Sequence, residues 1–167
     1  METDSFLSFN YTSTLQLAYG VDDANIVHIH GKSDAYDDLI FGHGETREEE
    51  PELDASGDSN RTMFSDAEGA AKYPFYALQK PVSEAINTNK DFFSSLGGFS
   101  TIRIIGHSVN DIDLPYFKEI AKSTNNAKWQ IYCYRPDESE HYMRQLLKCG
   151  IESRNITIET YDKLPTA

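Results

Sequence analysis

Basic residues are scarce in this chain: 15 Lys and Arg stand against 27 Asp and Glu in 167 residues, a formal net charge of -12. Nucleic-acid binding relies on clustered Lys and Arg at phosphates, and no such patch is visible, so a direct nucleic-acid binder is excluded. Cysteine is also rare, with only Cys133 and Cys149 and no CxxC spacing. That usage excludes a disulfide framework and fits two core thiols in a reducing compartment. No apolar run approaches the roughly 20 residues that cross a bilayer, and no secretory leader opens the chain. The expectation is a cytoplasmic protein without membrane association. The length suits one domain, 1–167, with a sizeable core and no internal repeat.

What is present is organised around Ile26-Val27-His28-Ile29-His30-Gly31. Its β-branched apolar residues read as a short buried strand that Gly31 breaks, leaving His30 at the carboxyl end. In open α/β sheets that edge borders the ligand crevice, and a glycine lets a substrate approach the backbone. Spacing of two along a strand directs His28 and His30 to one face. The pair then reads either as a chelate or as one working and one packed histidine.

Upstream, 5–11 alternates around Phe6, Leu7 and Phe9 as a strand closed by Asn10-Tyr11-Thr12. Such an abrupt start suggests a fragment whose upstream segment or partner chain supplies the rest. Thr12 or Ser13 caps a short helix from Leu15 to Tyr19, ended by Gly20. Residues 38–42 read as a further strand running into His43-Gly44. From Glu45 to Glu68 the chain is rich in Glu, Asp, Ser and Gly, the composition of a flexible acidic insertion. Tyr73 to Leu96 has helical spacing, broken at Pro81. The rest alternates: strand 100–106, helix 111–122, strand 127–134, helix 141–149, strand 155–161. Short links between such elements predict a three-layer, Rossmann-like, mostly parallel sheet with helices on both faces. Gly106-His107-Ser108 is then a strand-to-helix turn on the ligand edge, suited to an anion.

Phe9-Asn10-Tyr11-Thr12, His28-Ile29-His30-Gly31, Leu39-Ile40-Phe41-Gly42-His43, Ile105-Gly106-His107-Ser108 and Asp113-Leu114-Pro115-Tyr116-Phe117, in that order, resemble the bacteriophage abortive infection AbiH family. More distantly, the order is similar to sirtuin-like NAD-binding domains. That resemblance implies a nucleotide ligand, NAD as substrate or ligand, no metal, and cleavage of the nicotinamide–ribose bond. Carried over, His30 is the general base and Asn10 orients a water or ribose hydroxyl. Thr12, Gly31, Gly106, Ser108 and Asp113 contact the cofactor. Thr12 stands where sirtuin-like domains place an Asp, and both their upstream glycine-rich loop and their zinc-binding cysteines are absent. A homo-oligomer or an upstream partner is therefore part of the expectation.

Three rivals remain open. Gly106-His107-Ser108-Val109-Asn110 is similar to the nucleophile elbow of α/β-hydrolases, with Asp137 and His141 to complete a triad and Asn110 where that motif has Gly. A metal hydrolase would build on His28 and His30 with His43, His107 or Asp113. The third is a non-enzymatic sensing or interaction module. As structural residues, Asn10 is a turn former, His30 a packed core histidine, Ser108 a helix cap, and Asp111 and Asp113 complements to a helix dipole.

Overall fold

The computed structural model describes residues 4–35, 39–44, 55–56, 59, 72–75 and 77–165. The acidic segment 45–68 lies outside the described residues except at 55–56 and 59, as does Asp38 of the strand expected at 38–42. Two compact units emerge: one of residues up to Ile40 and from Pro81 onward, the other of Phe41–Lys80.

In the first unit, β1 (Phe6–Ser8) and β2 (Ile26–His28) pair in parallel, Phe6 opposite Ile26 and Ser8 opposite His28. Between them lies α1 (Thr14–Tyr19), which ends at Gly20 in the left-handed conformation. Its preceding Ser13 does not cap the helix, because the Ser13 hydroxyl donates to Asp34 Oδ2 at 2.7 Å. After α2 (Val82–Thr88) and α3 (Lys90–Ser95), separated at Asn89, the chain alternates as expected. β3 (Thr101–Ile105), α4 (Leu114–Ser123), β4 (Lys128–Cys133), α5 (Ser139–Lys148) and β5 (Ile156–Thr160) follow in order. The three strands form a parallel sheet with β4 in the centre.

The parallel α/β character is as the alternation predicts, but the described strands are divided between two sheets rather than laid into one. Local hydrogen bonds keep the first pair short. The Ser8 hydroxyl donates to the Asn10 carbonyl and accepts from the Asn10 N–H, both at 3.3 Å, so β1 stops before the predicted Tyr11. β2 stops at His28, where the Gly31 N–H turns back to the His28 carbonyl at 3.0 Å. Gly31 has φ of 84°, a left-handed value that favours glycine.

The core sits on β4 and the helices beside it. Trp129, Ile131 and Cys133 are buried on one face of β4, and Tyr132 is buried on the other. α4 inserts Leu114, Tyr116, Phe117 and Ile120, a helical i, i+3 stripe, and α5 inserts Leu146. Cys133 and Cys149 are buried and unlinked, and burial pushes both thiols up.

Leu39–Gly42 forms no strand among the described residues; in the second unit, His43 bridges Gln79 in parallel fashion. Gly42 has φ of 130°, and a β-carbon there would sit 1.8 Å from the Leu78 carbonyl oxygen. Both the conformation and the contact demand glycine. Gly42→Ala is expected to lower the stability of this unit by more than about 1 kcal/mol. Hydrogen exchange across 41–44 and 77–80 checks this, with faster exchange in the variant.

Candidate functional site

Three carboxyl ends of parallel strands meet. Phe9 follows β1 directly, His30 lies two residues beyond β2, and His107 two beyond β3. The Phe9 ring is 5.6 Å from the His30 ring, 4.2 Å from His107 and 5.6 Å from Tyr116, measured between centroids. Phe117 stacks almost parallel to Phe9 at 5.7 Å. This aromatic box surrounds one carboxylate, because the 3₁₀ turn Asp111–Asp113 delivers Asp113 to the start of α4.

Asp113 stands between two imidazoles. Its Oδ1 is 4.0 Å from His30 Nε2 and its Oδ2 is 3.4 Å from His107 Nε2. The His30 side chain is 3% exposed, and those of His107 and Asp113 are 15% and 12% exposed. Taking a carboxylate out of water is costly unless charge or hydrogen bonds compensate, so such a grouping is uncommon away from functional sites. Two tyrosines feel the same acid. Burial, then the charge of Asp113, raises Tyr11 above its ordinary value. Burial first, then Asp113 and Tyr11, pushes the Tyr116 hydroxyl up to about 12. The Tyr116 hydroxyl is buried and has no hydrogen-bond partner among the described residues, whereas the Tyr11 hydroxyl donates to the Ile40 carbonyl at 2.7 Å.

An unmet buried hydroxyl lowers stability, so Tyr116→Phe should raise it by about 1 kcal/mol. The pH dependence has a definite sign. A phenol raised from 10 to about 12 by folding contributes stability that is complete below pH 10 and is lost as pH rises through 12. At roughly 1.4 kcal/mol per unit, that loss is about 3 kcal/mol. Alkaline unfolding followed by circular dichroism should therefore move to higher pH in Tyr116→Phe. A variant that unfolds at lower pH contradicts this account.

The residues expected from sequence lie as follows. His30 is inside the cluster, and Gly31 is the turn residue behind it. Asn10 is exposed, and its carbonyl accepts from His28 Nδ1 at 2.9 Å. Thr12 is exposed, with its hydroxyl 3.0 Å from that of Thr14. Gly106 has φ of 69° and precedes the inward His107, while Ser108 is exposed. Asp113 is the central acid. Sequence reasoning gave Phe9 and Tyr116 no part and set His107 in the strand-to-helix turn and among the candidate ligands of a metal hydrolase. The signal for His107 was its place in the same strand-end turn as Gly106 and Ser108.

The expected His28/His30 face does not persist, because the strand ends at His28. The half-buried His28 donates to Asn10 and accepts from the Gln16 amide at 3.0 Å, whereas His30 turns into the aromatic box. No group of three His, Cys, Asp or Glu side chains among the described residues is placed to hold a metal. The arrangement also differs from a serine triad. His141 Nε2 donates to the Ser108 backbone carbonyl at 2.8 Å, and Asp137 lies 3.7 Å from Arg135 Nε. The His28 ring therefore bonds to the Gln16 amide and the Asn10 backbone rather than to Asp113.

No helix among the described residues is long and apolar enough to cross a membrane. No curated protein and no solved structure matches the chain. The model of one family, bacteriophage abortive infection AbiH, matches residues 1–134. Since that match takes in β1 to β4 and all of His30, His107 and Asp113, this chain belongs to the bacteriophage abortive infection AbiH family.

Proposed function

We propose that this chain carries the reaction centre of a phage-defence protein that binds a nicotinamide dinucleotide, or a related nucleotide, and cleaves its nicotinamide–ribose bond. The observation that carries the reading is the Asp113 carboxylate set between His30 and His107 at three strand ends. In the reaction, the carbon–nitrogen bond at the ribose breaks with its electron pair leaving on nicotinamide. An oxocarbenium-like sugar develops, as in glycoside hydrolysis. His30 accepts the proton of the attacking water or hydroxyl, whose oxygen bonds to that carbon. Asp113 stabilises the imidazolium that results, and its negative charge also favours the developing cation. Asn10, exposed at the end of β1, orients the attacking group. Thr12, Gly31, Gly106 and Ser108 line the approach to ribose and phosphate.

The 3% exposure of His30 favours a second reading, in which the cluster is a packed electrostatic core of a non-enzymatic sensing module. Incubating the full-length protein with NAD, with and without extract of phage-infected cells, separates the two. Free nicotinamide in the wild type supports the enzyme; no release together with no calorimetric nucleotide binding supports the module.

A further inference from the structure

The His107-Ser108-Val109 turn bears on which histidine takes the proton. The Val109 N–H donates to His107 Nδ1 at 2.9 Å. A nitrogen that accepts a hydrogen bond holds its lone pair there, so the ring proton of neutral His107 sits on Nε2. That is the nitrogen 3.4 Å from Asp113 Oδ2. Val109 makes the bond from a backbone φ of 50°, left-handed for a β-branched residue and outside its ordinary range. A conformation of that kind is strained and persists only where the surroundings impose it. Here Val109 is completely buried, and the His107 ring packs against the Phe9–Phe117 stack, 4.2 Å from Phe9 and 5.2 Å from Phe117.

We infer that the Val109 N–H locks the tautomer of His107, making His107 a positioning residue that presents a donor to Asp113 and leaves His30 as the proton acceptor. This rests on the reading of the cluster as a reaction centre. Of the groups that face Asp113, Tyr11 and Tyr116 are neutral phenols raised by burial, and neutral His107 has no lone pair left to offer. Among the described residues that face Asp113, this leaves His30 from the β2 turn as the base. With its proton on Nε2, His107 faces Asp113 Oδ2 at 3.4 Å, while Oδ1 lies 4.0 Å from His30.

Nitrogen-15 NMR of the full chain reads the lock directly. With the ring in its neutral form, His107 Nδ1 should resonate as an unprotonated nitrogen and Nε2 as a protonated one. A proton on His107 Nδ1 overturns the inference, and this spectrum decides it whether or not nicotinamide is released. The second arm compares His107→Gln, whose amide N–H can still donate to Asp113, with His107→Leu, which has no donor. Removing a group that orients a reactive neighbour typically costs 10–100-fold, so the Leu variant should lose about that much in nicotinamide release. The Gln variant should stay within about fivefold of wild type, because it restores the donor. Equal losses in the two variants, with both folded by circular dichroism, overturn the positioning role. If the Leu variant does not fold, the spectrum and the Gln variant carry the test.

Discussion

His30→Ala is expected to lower nicotinamide release on the order of a hundredfold or more, the usual contribution of a positioned general base. The size follows from the company His30 keeps. Asp113 is 4.0 Å from its Nε2, the rings of Phe9 and Tyr116 each lie 5.6 Å away, and Tyr11 lies at 6.2 Å. Removing the ring also opens a cavity, so thermal melting must accompany the rate. A folded variant that keeps its full rate contradicts the assignment of the base. A variant that melts below the assay temperature is replaced by His30→Gln, which fills more of the space without supplying a base.

The largest stability effect should come from Trp129→Ala. Trp129 is 2% exposed on the central strand β4, opposite Ile102 of β3 and Ile156 of β5. Deleting a large buried aromatic costs about 3–5 kcal/mol, as lost transfer energy plus the cavity left behind. Domains of this size hold roughly 5–15 kcal/mol in all, so a midpoint about 10 °C lower is expected in thermal unfolding. Leu147→Ala is the contrast, since Leu147 on α5 is 48% exposed and its loss should stay within about 0.5 kcal/mol. Similar losses for both would mean that β4 is not the centre of the core.

The strands of the second half were legible in the sequence, whereas the ends of β1 and β2, and the side chains that turn inward beyond them, were legible only in part. The run Ile26 to Gly31 shows its strand, its break and its histidine without any long-range information. Beyond a strand the alternation of faces no longer applies, and the turn decides direction. Ser8 binds both backbone groups of Asn10, so Phe9 enters the cluster and Asn10 faces solvent. The Val109 N–H fixes His107 beside Asp113 while Ser108 stays exposed. The division into two sheets was hidden for the same reason, since side-chain bonds rather than composition end β1. Asp113 was visible as an acid at a helix start, but its place between two imidazoles joins residues far apart in the chain.

The most direct test asks where the nucleotide sits. ADP-ribose, the product that remains after nicotinamide leaves, is titrated into the full-length protein while the imidazole and tyrosine ring signals are followed by NMR. Saturable shifts of His30, His107 and Tyr116, with the ring of His141 unmoved, are the predicted result. Saturable binding that leaves His30 and His107 unchanged would contradict the placement of the reaction centre at Asp113.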